Sequence, residues 1–306
     1  MLIVAALGGN ALLKRGEPLT ARIQRANVRL AAQGLAAIVR GGHDLVVTHG
    51  NGPQVGLLAL RTSAYKPDEP YPLDMLGAET EGMIGYVIEQ ELENALNHER
   101  SVATLLTQVV VDPNDPAFDH PTKFIGPVYQ RAEAESRAAA LGWHIAQDGD
   151  KWRRVVPSPS PLDIPDVRVI QLLLEQQVVV ICAGGGGIPI IRREDGSTVG
   201  TEAVIDKDAA SALLARQLNA DALLLLTDVD AVYQGFGSDN AVALTRLNIE
   251  QARMLDLPAG SMGPKLAAAA DFAEQGGFSG IGRLEDALDI LQGTAGTRVQ
   301  RQADRG

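Results

Sequence analysis

The sequence predicts an α/β fold: a three-layer αβα sandwich around a mostly parallel sheet, with a small protruding subdomain. Short apolar runs alternate with longer stretches of helical period, which is typical of parallel βα units. Of the 306 residues, 45% are hydrophobic but only 4% aromatic, so aliphatic side chains must fill the core, as in buried parallel sheets. The third observation is a proline-rich interruption at 112–165, which predicts the excursion from the main sheet.

Five apolar runs are predicted to be buried strands, at 2–7, 44–48, 102–111, 177–182 and 222–227. Between and after them, apolar residues at helical spacing predict helices at 20–40, 74–96, 206–218, 261–275 and 284–291. In the 74–96 helix the apolar residues form one face, and the glutamates are expected elsewhere. Right-handed crossovers are expected to join the strands.

Two further segments are predicted individually. Residues 190–200 contain Glu194-Asp-Gly196 and are expected to form a β-hairpin. The polar residues after Gly296 are expected to be frayed.

The charge balance excludes several classes of partner. A net charge of -11 and a pI of about 4.9 argue against nucleic acid and against an anionic membrane surface. No run approaches the roughly 18 apolar residues that a membrane helix needs, so a cytoplasmic location is expected. Cys182, the one cysteine, follows an apolar run and is expected to be a buried, unreactive thiol.

Lysine is used sparingly in this chain. Six of the 27 basic side chains are lysines, and three of these, Lys123, Lys207 and Lys265, lie in short runs rich in Gly, Pro and Asp. An ammonium group is a compact point charge on a flexible stem, which suits a phosphoryl group whose charge shifts between oxygens. The alternative is chance placement in loops, which is harder to sustain for three lysines than for one. The pattern indicates phosphoryl transfer, with Lys14, Lys66 and Lys151 on the surface.

Glycine-rich segments follow several of the predicted strands. They are 8–10, 49–52 and 183–187, and 228–230 follows another strand without glycine. Parallel strands present their carboxyl ends at one edge, where glycine amides and helix N-termini can approach an anion. The sequence lacks a P-loop, and the glycines at 184–187 precede Ile188-Pro189 and not a helix, which excludes the dinucleotide fingerprint. The protein-kinase motifs are absent as well.

Taken together, the motifs resemble those of the carbamate kinases in the amino-acid kinase superfamily. The resemblance runs nearly end to end, through Leu7-Gly-Gly-Asn-Ala11, Thr48-His-Gly-Asn-Gly-Pro-Gln-Val-Gly56, Val111-Asp-Pro-Asn-Asp-Pro-Ala-Phe118, Arg153-Arg-Val-Val-Pro-Ser-Pro159, Ile181-Cys-Ala-Gly-Gly-Gly-Gly-Ile-Pro189, Ala203-Val-Ile-Asp-Lys-Asp208, Leu226-Thr-Asp-Val-Asp-Ala-Val-Tyr233 and Gly260-Ser-Met-Gly-Pro-Lys265. It implies reversible phosphoryl transfer between carbamoyl phosphate and ADP, giving ATP and carbamate. It also implies Mg²⁺ carried with the nucleotide, no metal held by the protein, and a homodimer.

The resemblance further implies one unit over 1–306. A carbamoyl-phosphate lobe would span about 1–185, with the protruding subdomain at about 119–157, and a nucleotide lobe about 186–306. The expected catalytic residues are Lys123, Asp206, Lys207 and Lys265. The expected substrate-binding residues are Gly8, Gly9, Asn10, Gly50, Asn51 and Gly52. The expected nucleotide-binding residues are Gly184, Gly185, Thr227, Asp228, Val229, Asp230, Tyr233, Met262 and Lys265.

Most of these roles have a plainer alternative. Asp206 could serve only as a helix N-cap, and the glycines could form tight turns without a ligand. Asp230 could be part of a charged rim, and Met262 could be core packing. His49 is interpreted as a structural hydrogen-bonding residue.

Two departures from the family pattern stand out. Phe124 occupies the position after Lys123 where proline is usual, and could alter the stiffness and reach of that loop. Residues 159–161 read Pro-Ser-Pro, where a charged residue is common between the prolines.

Two other functions stay open. A superfamily kinase of the acetylglutamate kinase type would need a guanidinium group for an extra carboxylate, and Arg153 and Arg154 could supply it. A non-enzymatic nucleotide sensor would bind ADP without turnover. The homodimer could form through an apolar stripe on the 74–96 helix.

Overall fold

A computed structural model describes residues 1–13, 16–66, 68–238, 240–255, 257 and 262–301. Within them the helices are α1 Gly9–Leu12, α2 Ala21–Arg40, α3 Gly52–Tyr65, α4 Leu73–Ala95, α5 Arg131–Leu141, α6 Val167–Glu175, α7 Lys207–Gln217, α8 Ile249–Met254, α9 Met262–Ala273 and α10 Ala287–Gln292. The strands are β1 Leu2–Leu7, β2 Asp44–His49, β3 Val102–Thr104, β4 Gln108–Val111, β5 Lys123–Tyr129, β6 His144–Asp148, β7 Lys151–Val156, β8 Pro161–Asp163, β9 Val179–Ile181, β10 Ile188–Arg192, β11 Thr198–Gly200, β12 Ala222–Thr227, β13 Val232–Gln234, β14 Val242–Leu244, β15 Arg246–Asn248, β16 Phe278–Arg283 and β17 Thr297–Gln300.

In the described part of the chain, the central sheet has eight strands in the order β15-β17-β16-β12-β1-β2-β9-β3. Every neighbouring pair is parallel except β16 and β17, which are antiparallel. The strands β12, β1, β2 and β9 therefore end at the same edge. The α/β fold predicted from the sequence is confirmed.

Helices cover both faces of this sheet. Along β1, Ile3 and Ala5 face one core with α2, α4 and α10, whereas Val4 and Ala6 face another with α6, α7 and α9. Aliphatic side chains make up nearly all of both cores, as the composition predicted. The result is the three-layer αβα arrangement.

A separate antiparallel sheet, in the order β5-β7-β6, extends over Lys123–Val156 together with α5. It lies against the start of α3, where Gly56 meets Gly126 so closely that a Cβ atom on Gly56 would lie 1.9 Å from Gly126 Cα. This contact places Lys123, at the start of β5, near the N-terminus of α3. The excursion predicted at 112–165 is thus observed, and the division into two lobes stays a prediction.

Local signals explain where the predicted helices begin and end. Thr20 caps α2 by accepting a hydrogen bond from Ile23 N at 3.4 Å, and Gly41 follows the last turn. Asp206 caps α7 in the same way. The predicted hairpin at 190–200 is confirmed by the antiparallel pairing of β10 with β11.

Two predictions about elements were wrong. The apolar run at 102–111 is not one strand, because β3 pairs with β9 in the central sheet and β4 with β10 in another. The prediction of fraying after Gly296 was wrong for residues 297–300, because they form β17. This strand lies between β15 and β16, with Thr297 and Val299 buried. Residues 302–306 lie outside the described part of the chain. Helices α3, α5, α6 and α8 and strand β16 were not predicted.

Candidate active site

Two buried lysines share one carboxylate at the N-terminus of α7. Lys207 Nζ lies 2.5 Å from Asp208 Oδ1, and Lys265 Nζ from α9 lies 2.8 Å from Asp208 Oδ2. The relative exposures are 8% for Lys207, 5% for Lys265 and 5% for Asp208. Among the described residues, neither ammonium group forms a salt bridge with a second carboxylate. Two positive charges thus share one negative charge in a buried cluster, which we call the lysine cluster.

The third predicted lysine lies beside this cluster. Lys123 Nζ, on β5, is 2.5 Å from Asp206 Oδ2, and both side chains are about one-third exposed. The other oxygen of Asp206 accepts hydrogen bonds from Asp208 N at 2.9 Å and Ala209 N at 3.2 Å. Asp206 is therefore an N-cap and a lysine partner at once, so the two interpretations of it are compatible.

Burial and charge act in opposite directions on the lysine cluster. Burial lowers the pKa of Lys207 to about 8, with Asp208 opposing the shift and Lys265 adding to it. Burial alone would raise the pKa of Asp208, but the two ammonium groups outweigh it and hold that pKa far below its usual range. At neutral pH the cluster therefore keeps an ionised Asp208 carboxylate beside the ammonium group of Lys207. An anion bound there would complete its charge balance.

The loops after β1 and β2 meet next to the end of β12. A Cβ atom on Gly50 would lie 3.4 Å from Gly9 N, and one on Gly8 would lie 2.9 Å from Leu226 O. The amides of Gly8 and Gly50 donate to Leu226 O at 2.8 Å and Leu7 O at 3.2 Å. Main-chain carbonyls thus already accept hydrogen bonds from these two amides, and substrate binding by Gly8 and Gly50 stays a prediction.

Other amides at the same edge belong to helix N-termini. Gly9 begins α1 and Gly52 begins α3, so the first amides of both helices have no acceptor within their helix. Asn10 lies within α1. The positive end of α3 at the carboxyl end of β2 suits an anion, and the single turn of α1 presents its first amides at the end of β1.

Asn51 is held by α4 and by the turn that follows β9. Its Nδ2 donates to Thr80 Oγ1 at 2.9 Å, and its exposure is 4%. A Cβ atom on Gly185 would lie 2.1 Å from Asn51 Nδ2, and one on Gly184 would lie 2.4 Å from His49 Nε2. Gly184 and Gly185 thus lie against the 49–52 loop. This contact favours a role for them at the substrate end of the site over the predicted role in nucleotide binding.

The remaining predicted nucleotide residues follow β12. Thr227 Oγ1 donates to Asp228 Oδ1 at 3.1 Å, and Tyr233 OH donates to Asp230 at 3.0 Å. Val229 lies between the two aspartates. Met262, half-buried, begins α9 and packs against the α7–α9 core, which supports its packing role. Gly260 and Ser261 lie outside the described residues.

Several plainer interpretations agree with the contacts. His49 is fully buried, its Nδ1 lies 3.2 Å from Gly50 O, and burial lowers its pKa to about 4, so it is neutral at pH 7. Cys182 is buried, and burial raises the pKa of its thiol well above the usual value. Lys66 and Lys151 are partly or largely exposed and pair with neighbouring carboxylates, as expected of surface lysines. Lys14 lies outside the described residues.

The arginines that could have bound an extra carboxylate are engaged elsewhere. Arg153 Nε donates to Gly126 O at 2.7 Å, and its guanidinium also pairs with Asp148. Arg154 stacks on Trp143, with its Cζ 5.0 Å from the ring centroid. Both hold the small sheet together, which weakens the acetylglutamate kinase alternative.

Sequence reasoning missed two carboxylates. Asp208 was noted only as a neighbour of Lys207, although two acidic residues around one lysine signalled a possible partner for each ammonium. Glu81 was placed away from the apolar face of its helix, yet it is fully buried. Its spacing of three and seven residues from Ile84 and Ile88 was the signal that it shares their buried face.

Two features are absent from residues 1–13, 16–66, 68–238, 240–255, 257 and 262–301. No three His, Cys, Asp or Glu side chains converge there in a way that could hold a metal ion. No helix in the same ranges is long and apolar enough to span a bilayer.

Comparison with known proteins defines the class. Residues 1–281 match the model of the amino acid kinase family. The chain therefore belongs to the amino acid kinase family, so it is an enzyme of the kinase class.

Its relatives are more specific. The chain is 55% identical to the carbamate kinase of Rhizobium meliloti over 98% of this chain and 93% of the relative. It is 54% identical to the carbamate kinase of Haemophilus influenzae over 99% and 98%. The solved carbamate kinase of Giardia lamblia bound to AMP-PNP superposes with a TM-score of 0.88 at 40% identity, covering 98% of both chains. The resemblance to carbamate kinases drawn from the motifs is confirmed.

Proposed function

We propose that the protein transfers a phosphoryl group reversibly between carbamoyl phosphate and ADP, giving ATP and carbamate. The relatives named carbamate kinases support this reaction over nearly the full chain. The single structural observation that carries the proposal is the lysine cluster, in which Lys207 and Lys265 share the carboxylate of Asp208. A buried surplus of positive charge in a chain of net charge -11 suits an anionic substrate.

The reaction needs alignment more than acid–base help. An oxygen of the ADP β-phosphate attacks phosphorus, a new P–O bond forms, and the bond from phosphorus to the carbamoyl oxygen breaks. Carbamate leaves as an anion, so no proton has to move in the step. Point charges on either side of the migrating group neutralise its equatorial oxygens.

The position of each residue determines which part of the substrate it would contact. Lys207 and Lys265 would contact the phosphoryl oxygens from the α7 side, with Asp208 fixing the separation of their ammonium groups. Lys123, held by Asp206, would approach from the small sheet. The N-terminal amides of α1 and α3 would face the phosphoryl and carbamoyl ends, and Asn51 would orient the carbamoyl group.

The nucleotide would bind after β12, at 227–233 and the start of α9. The AMP-PNP complex of the Giardia lamblia relative supports a nucleotide ligand for this fold. Mg²⁺ would enter as part of the nucleotide substrate, as the resemblance to carbamate kinases implies. Its role would be to neutralise phosphate charge.

We also propose that the protein works as a homodimer that pairs through α4. Met75, Met83 and Tyr86 share one exposed face of this helix, at half-exposed positions. Leu106, also exposed, lies beside Gly82 on the same side. A second copy would cover this apolar surface.

A coupled assay tests the reaction. The purified protein is mixed with ADP, Mg²⁺ and either carbamoyl phosphate or acetyl phosphate, and ATP is measured. We expect ATP formation with a strong preference for carbamoyl phosphate. A preference for acetyl phosphate, or ADP binding without turnover, would contradict the proposal.

Matched lysine variants test the cluster. The substitutions Lys207→Ala and Lys265→Ala should each lower kcat about 10²–10³-fold while the protein remains folded. This is the usual effect of removing one well-placed charged donor. Lys66→Ala, which removes an exposed lysine paired with Glu69, should stay within about twofold of wild type. Activity within about threefold of wild type in either cluster variant would remove that lysine from the reaction.

A further inference from the structure

Glu81 is a fully buried acid with no role in the mechanism above. It lies on α4, and its two carboxyl oxygens accept hydrogen bonds from two different chain segments. Oε1 accepts from Gly184 N at 2.8 Å, and Oε2 from Thr107 N at 3.2 Å. Thr107 follows β3 and Gly184 follows β9, so this one side chain fixes the segments that follow two neighbouring strands.

The segment after β9 needs such fixing. In the glycine turn, residues 183–187, Ala183 has a φ of 49°, and Gly185, Gly186 and Gly187 also have positive φ. A left-handed conformation is unfavourable for alanine, so contacts with other segments must hold it. Ala183 N donates to Thr107 Oγ1 at 2.9 Å, which makes Thr107 the second anchor of this turn.

The glycine turn is packed directly against the loop expected to bind substrate. The close approaches of Gly184 to His49 and of Gly185 to Asn51 leave no room for even a methyl group. Any shift of the turn must therefore move the Asn51 side chain. Thr80, the residue before Glu81, accepts the hydrogen bond from Asn51, so consecutive residues of α4 hold both sides of this contact.

We propose that Glu81 is a positioning residue for the carbamoyl phosphate end of the site, acting through the glycine turn on Asn51. The inference rests on the proposed function and adds a residue that touches no substrate itself. Burial of Glu81 raises the pKa of its carboxyl group to about 8, and no positively charged side chain among the described residues lowers it. The two main-chain amides that donate hydrogen bonds to Glu81 explain why a carboxyl group is kept in so unfavourable a place.

A graded pair of substitutions tests this. Glu81→Met keeps the length of the side chain but removes both acceptors, whereas Glu81→Gln keeps one. We expect the KM for carbamoyl phosphate to rise about tenfold in Glu81→Met and less in Glu81→Gln, with the KM for ADP within about twofold. The same two substitutions at Glu175, exposed at the end of α6, should leave both constants unchanged. Thr107→Val removes the second anchor and should also raise the KM for carbamoyl phosphate alone.

The outcomes separate this inference from the proposed function. Equal changes in both KM values, or no change in either, would overturn the positioning role even though wild type is active. If the wild-type protein made no ATP from carbamoyl phosphate, the proposed function would fail first. Amide hydrogen exchange would then test whether Glu81 holds the glycine turn. Faster exchange confined to residues 183–187 in Glu81→Met supports its hold on the turn, and unchanged or uniformly faster exchange overturns it. If Glu81→Met does not fold, Thr107→Val supplies the same two measurements.

Discussion

At the residue scale, Asp208 has the most consequential position in the site. Its two oxygens each bind one ammonium group, so its carboxylate sets the spacing of Lys207 and Lys265 and raises the pKa of Lys207. Because these lysines are buried, they would repel each other strongly without it. The two lysines and this aspartate therefore form one unit.

Asp208→Asn should lower kcat by about 10²–10³ with little change in overall fold. The asparagine fills the same space but no longer offers a negative charge to either ammonium group. Steady-state kinetics together with circular dichroism would measure both effects. A variant with wild-type kcat would show that the lysines hold their positions without the carboxylate.

The pH dependence of kcat gives an independent test of the same unit. The ammonium of Lys207 is charged below its pKa of about 8 and neutral above it, so kcat should fall as pH rises through that value. In Asp208→Asn the carboxylate that raises this pKa is gone, so the decline should move to lower pH. A pH–rate profile at saturating substrates measures both. Since burial also brings the pKa of Glu81 to about 8, the profile of Glu81→Gln is the control, and the decline should persist there.

A decline that disappears in Glu81→Gln would assign the titration to Glu81 and not to Lys207. A profile that stays flat well above pH 8 would show that transfer does not depend on the charge of Lys207.

At the element scale, the small sheet is held to the body by a contact between two glycines. A Cβ atom on Gly56 of α3 would lie 1.9 Å from Gly126 Cα on β5, and backbone on both sides prevents relaxation. Gly126 also has a φ of 72°, which favours glycine. The same strand begins with Lys123, so this contact also determines how that ammonium reaches Asp206.

Gly56→Ala should destabilise the protein by about 1–3 kcal/mol and also lower activity, because β5 must move away from α3. Gly77→Ala is the matched control, since Gly77 also lies within a helix but has open space where the added methyl group would lie. There the helix propensity of alanine should add up to about 1 kcal/mol of stability. Urea unfolding of both variants measures the difference, and equal stabilities would show that the contact between α3 and β5 can open without cost.

The elements also show how far the sequence predicts this protein. The buried strands β1, β2 and β12 were predicted almost residue by residue because continuous apolar runs decide them. The break within 102–111 depends on Glu81, which is distant in the sequence, and on the hydrogen bond between Thr107 and the segment after β9. No local pattern could indicate it.

The site was predictable to a similar extent. Motifs placed Lys123, Lys207 and Lys265 together because loops at one edge of a parallel sheet must meet. They could not show that main-chain carbonyls already hold the amides of Gly8 and Gly50, since those bonds depend on how the strand ends are arranged in the folded sheet. Nor could they show that the glycine turn packs on the 49–52 loop.

At the scale of the whole molecule, the proposed dimer follows from a surface that the fold leaves uncovered. Helix α4 buries one face against α2 and β3 and presents Met75, Met83 and Tyr86 on the other. The buried face also carries Thr80 and Glu81, which accept hydrogen bonds from Asn51 and Gly184. A dimer formed through α4 would therefore steady the helix on which Thr80 and Glu81 lie.

Light scattering on the purified protein should give a molar mass of twice the 32.4 kDa of one chain. Met83→Lys should shift it toward 32.4 kDa, because a paired interface would bury an uncompensated charge from each copy. Met254→Lys is the control, since Met254 is 84% exposed on α8 and lies away from α4 in the chain. A wild-type protein that stays at the mass of one chain at high concentration would rule out the dimer, and a Met83→Lys variant that remains dimeric would place the interface on another surface.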